Sequence, residues 1–285
     1  MHEVFHILPA ALYGSLIGRP TGYLYFIQGN PIGDCHSLRI VATERKGRGK
    51  CDFVETPIEI LIGDWETVAW SRDTWMSLLG TAWFVANLAD SGFPHECVKF
   101  VCLDETRQDA ASAMRTRRAL TAPEAKFLTE FWQCITRRGN TDSLRTLFKT
   151  APSYPICEAL VAETERFLPR VSPNGDQYLS DFDELLLCSV NEAENRKAAW
   201  IVSMIVAECF EWGVDIGDSM ILQRLRQMTA ACLVKSARPL VDFPEGALTE
   251  LRLSRKGRRA VEEQNIARIQ VPSLQLGEVK LSYKA

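Results

Sequence analysis

Between Tyr178 and Gly257, three stretches of helical periodicity precede two short β-rich runs, and this order constrains the fold more than any other feature of the chain. Ser180 can cap the first helix, with Asp183 three positions on to answer it. Asp181, Asp183 and Glu184 fall in the first turn, where the helix dipole favours negative charge. Phe182, Leu185, Leu186 and Leu187 supply its apolar stripe. The second helix, Ala198 to Trp212, is apolar on nearly every side, so it is expected to be enclosed by neighbours. Gly213 to Gly217 form a turn, and Asp218 or Ser219 can cap the third helix. There Ile221, Leu222, Leu225, Met228, Cys232 and Leu233 recur at helical spacing, while Gln223, Arg224 and Gln227 take the other side.

Leu233 to Val241 and Leu248 to Leu253 then read as strands joined by a turn containing Pro244-Glu245-Gly246. In the second run Leu248, Glu250 and Arg252 point one way, and Thr249, Leu251 and Leu253 the other. The second set is the more apolar and is expected to pack on the helices. Three helices and a two-stranded hairpin make a winged-helix-like layout. Lys235, Arg238, Arg252, Arg255, Lys256, Arg258 and Arg259 give the hairpin and its exit a basic edge. The residues singled out for binding are Arg224, Gln227, Lys235, Arg238, Arg252, Arg255 and Lys256.

At 285 residues, 46% hydrophobic and 24% charged, the chain has the composition of a soluble globular protein and the length of two modest domains or one large one. Its net charge of −3 argues against a basic nucleic-acid scaffold. The nine cysteines are odd in number, and many stand inside apolar runs, which suits a reducing cytosol. The N-terminus lacks a basic leader, and no apolar run reaches the ~18 residues of a membrane span, so a cytoplasmic location is expected.

The N-terminal part reads as α/β. Val4–Leu8, Tyr23–Gln28, Ile58–Ile62 and Val98–Leu103 are compact apolar runs with strand character, and Glu66–Asp90 reads as one helix with a break at Gly80. The Glu44–Lys50 stretch, with its Lys46–Lys50 core, reads as an exposed basic hairpin tip or mobile loop. From about Asp109 the pattern turns helical. Thr121-Ala122-Pro123-Glu124 is a capping box with proline in the first turn, and Thr141–Lys149 and Ile156–Phe167 are amphipathic. Pro169–Gly175 reads as a flexible joint. The expected organisation is an α/β domain over 1–108, a helical connecting region over 109–175, and a mainly α, winged-helix-like domain over 176–285.

Several of these stretches resemble a known family. They are the glycine-proline loop Gly29–Asp34, the Leu120–Glu124 helix start, Leu179–Asp183, and Asp218–Leu225. Together they are similar to a bacterial two-domain family of unknown function that pairs an N-terminal α/β domain with a C-terminal winged-helix-like one. The resemblance implies a fold and hands over no catalytic residues. Some proteins of this general kind accompany secreted bacterial toxins as immunity partners.

The residues themselves offer little chemistry. Cys35 and His36 are neighbours on an extended chain, so their side chains point to opposite sides and do not form a nucleophile–base pair. His95, Cys97 and Cys102 lack the second short-spaced pair that a zinc site requires. Gly29–Gly33 has neither nucleotide-loop ending, and Asp104-Glu105 at a strand end has no partner base. We therefore expect no catalytic residues, no metal and no cofactor. The expected function is a non-enzymatic immunity-type protein that meets a toxin by protein–protein contact, without membrane involvement. The alternative is a winged-helix regulator that binds nucleic acid.

Overall fold

The computed structural model describes residues 4–9, 23–28, 39–46, 50–55, 57–62, 66–72, 74–103, 109–136, 141–174, 176–212, 214, 216–263, 274–276 and 279–281. The chain is mixed α/β and divides into two compact units, Met1–Val161 and Ala162–Ala285. The cut falls within the stretch that the sequence assigns to a helical connection, so the helices at 122–136 and 141–148 count with the sheet.

The first unit holds a six-stranded sheet built from β1 (Val4–Pro9), β2 (Tyr23–Gln28), β3 (Arg39–Lys46), β4 (Lys50–Glu55), β5 (Glu66–Arg72) and β6 (Val98–Leu103). Its strand order is β4-β3-β2-β1-β5-β6. The four strands from β2 to β6 are parallel, and β3 and β4 add an antiparallel hairpin at one edge. Residues 47–49 of the basic stretch lie outside the described residues. Ile58–Ile62 is not a strand: α1 (Ile58–Leu61) is a single helical turn begun at Pro57.

The expected long helix from Glu66 is also corrected. Its first part is β5, and α2 (Trp75–Asp90) follows without a break at Gly80. The cause is burial on both sides. Thr67, Val68, Ala69, Trp70 and Ser71 are all buried, and a strand covered on both faces shows no alternation to read. Crossing from β5 through α2 to the parallel β6 is the usual strand–helix–strand unit. α2 packs against β5, β1 and α4 (Ala122–Thr136), and Phe84 meets Phe100 with ring centroids 6.4 Å apart. The capping box at the start of α4 forms: Thr121 N–H and Oγ1 each donate to Glu124 Oε2 at 2.8 Å. α3 (Ala110–Met114) and α5 (Thr141–Phe148) complete its helices, and α6 (Pro155–Glu165) runs through the cut between the units.

In the second unit β7 (Arg170–Val171) and β8 (Gln177–Tyr178) pair antiparallel, and Ser172 N–H donates to Asp176 O at 2.9 Å. The expected flexible joint is thus a small hairpin, with Gly175 itself outside the described residues. Next come α7 (Asp181–Glu192), α8 (Ala198–Glu211) and α9 (Asp218–Ala230), then β9 (Val234–Ser236) and β10 (Leu251–Leu253), then α10 (Arg255–Glu263). A short hairpin of β11 (Leu274–Leu276) and β12 (Val279–Leu281) follows. Ser180 caps α7 by accepting from Asp183 N–H at 3.1 Å. The cap of α9 is Gly217, not Asp218 or Ser219.

α8 departs most from expectation. Ile201, Val202, Ile205 and Cys209 are buried, but Trp200, Met204 and Phe210 are exposed. α7 and α9 pack against it, and neither covers its outward side. Among the described residues no helix is long and apolar enough to cross a membrane.

Candidate interaction surface

The alternation read in the last β-run places the basic edge. Thr249, Leu251 and Leu253 are buried, whereas Leu248, Glu250 and Arg252 are exposed. β9 and β10 pair antiparallel with Arg252 opposite Lys235, and both cations face solvent. Arg252 is held by Glu250 at 3.2 Å. Arg238 is exposed just beyond β9, and Arg255 is exposed at the start of α10.

α10 was not anticipated as a helix, although its start carries a signal. Ser254 accepts from Gly257 N–H at 2.9 Å through Oγ and from Arg258 N–H at 3.0 Å through its carbonyl. Gly257 is required by close approach, since a Cβ there would lie 2.2 Å from Leu233 O. This packing turns Arg255, Arg258 and Arg259 outward. Arg259 is paired with Glu263 at 2.9 Å.

Three of the seven singled-out residues are placed elsewhere. Arg224 is buried, with Nε 2.8 Å from Asp183 Oδ1 and Nη2 2.6 Å from Asp183 Oδ2. It is a clamp between α9 and α7, and its expected place on the binding side is corrected. Asp183 thus gives its N–H to the Ser180 cap and its carboxylate to Arg224. Gln227 is half-buried, and its Oε1 accepts from Arg224 Nη1 at 2.7 Å. Lys256 donates to Ala231 O at 3.1 Å, a cation at the C-terminal end of α9, where the helix dipole favours it.

The exposed side of α9 is poor in cations. Arg226 is tied to Leu240 O and Asp242 Oδ1, both at 2.6 Å. Asp218, Ser219 and Gln223 are exposed. The unit's surface thus carries a basic ridge on the ladder and α10, plus the apolar outward side of α8.

The first unit contains a groove of about 430 Å³ between α2 and α4, with Leu88, Phe93, His95, Lys126 and Glu130 among its walls. His95 Nε2 lies 3.4 Å from Glu96. A smaller cavity of about 240 Å³ includes Cys102 and Arg118. Among the described residues no three His, Cys, Asp or Glu side chains group as metal ligands. Burial pushes the Cys157 and Cys209 thiols up to about 12, which leaves them unreactive at neutral pH. Gly29–Asp34, Cys35, His36, Asp104 and Glu105 lie outside the described residues. No family model and no curated protein matches this chain.

Proposed function

We propose that this chain is a non-enzymatic, cytoplasmic binding protein of the immunity type, which neutralises a bacterial toxin by direct protein–protein contact. Its contacting part is a winged-helix-like C-terminal module made of α7, α8, α9 and the β9–β10 ladder. The observation that carries the reading is the ridge of Lys235, Arg238, Arg252 and Arg255. Two of its cations, Lys235 and Arg252, are direct register partners. Like charges placed opposite each other weaken a ladder, and an acidic partner surface would offset that cost. The family resemblance supplies the toxin.

The same cations favour one alternative, a winged-helix regulator that binds nucleic acid. In that mode the third helix approaches the groove. Here it would bring Asp218, Ser219 and Gln223, while Arg224 is buried and Arg226 is tied to Asp242. An acidic protein suits the ridge better.

Calorimetry with the purified toxin encoded beside this chain's gene tests the reading. A complex at micromolar concentration or below is expected, weakened at least about tenfold by R238E/R252E/R255E. No complex would contradict it. Duplex DNA in a salt series tests the alternative, which requires binding that falls steeply with salt.

A further inference from the structure

The outward side of α8 carries Trp200, Met204 and Phe210, which are 52%, 37% and 71% exposed. Ser203 and Ala207, both small and exposed, lie between them. Leu248, 72% exposed, stands beside the first turn of the helix. It is held there because Ala198 N–H donates to Thr249 O at 2.8 Å and Ala199 N–H to Ala247 O at 3.0 Å. A contiguous apolar patch of this kind marks an interaction surface.

The charges at its two ends decide the occupant. Arg196 and Lys197 are exposed at the N-terminal end, and Glu208 and Glu211 at the C-terminal end. Each sits at the pole where the helix dipole disfavours it. Glu250, the β-bridge partner of Lys197, is paired with Arg252 at 3.2 Å, and none of the four end charges shows an ion pair among the described residues. A uniformly acidic partner would satisfy one end and repel the other, and a basic partner would do the reverse. A helix with the same two ends, running the opposite way, satisfies both.

We propose that a second copy of this chain covers this face, in a two-fold symmetric pair of antiparallel α8 helices. Arg196 and Lys197 of one copy then meet Glu208 and Glu211 of the other, and the symmetry repeats the match at the far end. With Lys197 opposite Glu211 the axis passes near Met204, which meets its own copy. Ser203 and Ala207 allow the helices to approach closely, and Trp200 and Phe210 pack to either side. The face is one helix wide, narrower than the ~800 Å² per partner of a standard interface, so the pair dissociates on dilution. The pairing uses none of the cations assigned to the toxin contact.

Sedimentation velocity of the full chain over a dilution series tests the proposal. The natural chain is expected to shift between monomer and dimer. R196E/K197E and E208K/E211K are each expected to weaken self-association by about tenfold or more. An equimolar mixture of the two variants is expected to recover a dimer, because each then offers the charge the other lacks. W200A/F210S is expected to be monomeric, with thermal unfolding checking that it is folded. A natural chain that stays monomeric throughout overturns the proposal, and so does a mixture that fails to recover. If W200A/F210S lowers toxin binding while the natural chain is monomeric, the face belongs to that partner and the self-pairing is refuted. Ridge variants that lose the toxin but still dimerise would separate the two contacts.

Discussion

α2 and α8 look alike on paper. Each is a run of Val, Ala, Met, Phe and Trp, with Leu added in α2 and Ile in α8, and few charges. Their fates differ. α2 lies between the sheet and α4, and Trp75, Leu78, Leu79, Trp83, Phe84 and Val85 are all buried. α8 has α7 and α9 on one side and leaves Trp200, Met204 and Phe210 outward. An apolar composition selects a helix that wants cover, but neighbours decide whether it is covered within the chain. The uncovered case is the informative one, because exposed single leucines are ordinary and an exposed stripe of large side chains is not.

Truncation should separate the two helices most sharply. Phe84→Ala is expected to destabilise the fold by about 3–5 kcal/mol, while Phe210→Ala should change monomer stability by no more than about 0.5 kcal/mol. Urea unfolding at low protein concentration measures both, and equal losses would break the comparison. Next in size is the support beneath α8. Arg224→Ala leaves Asp183 buried without its cation and should cost about 3 kcal/mol, whereas the double replacement D183L/R224M should restore much of the loss.

A smaller effect tests the cover over α2. Burial alone would raise the Glu124 carboxyl, but hydrogen bonds from Arg118 and Thr121 outweigh it and hold the group below its ordinary value. The unfolded chain therefore takes up this proton more readily than the folded one. The contribution is present above the unfolded pKa and is lost as pH falls through the folded pKa. Stability of the first unit should decline in acid, and Glu124→Gln should flatten that decline at a cost of about 1 kcal/mol at neutral pH. Smallest of all, a thiol reagent applied to the native protein should label exposed Cys97, Cys102 and Cys232 and spare Cys157 and Cys209. Rapid labelling of Cys209 would mean that α8 is uncovered on its inner side as well.

These contrasts also show what could be read from the residues. Local signals were dependable: the Ser180 cap, the Thr121–Glu124 box, the strand at Val98–Leu103, and the alternation from Leu248 to Leu253 that turns Arg252 outward. Information held in distant partners was not readable. β5 resembled the start of a helix because both its faces are covered. Arg224 lies three residues after Ile221 and four before Met228, on the inner side of α9. Its charge alone points to the surface, since its partner Asp183 is 41 positions away. The exposed cations Lys235, Arg238, Arg252 and Arg255 were found by pattern. The apolar outward side of α8 is not legible in the sequence, because periodicity cannot distinguish a helix enclosed by its own chain from one left partly uncovered.

The central claim is that the molecule acts by contact, through the basic ridge of its C-terminal unit. Hydrogen exchange of the full chain with and without the toxin tests it most directly. The account predicts slowed exchange at 234–238 and 251–259 on binding, with 218–226 unchanged. Protection confined to 218–226, or to the sheet of the first unit, would contradict it.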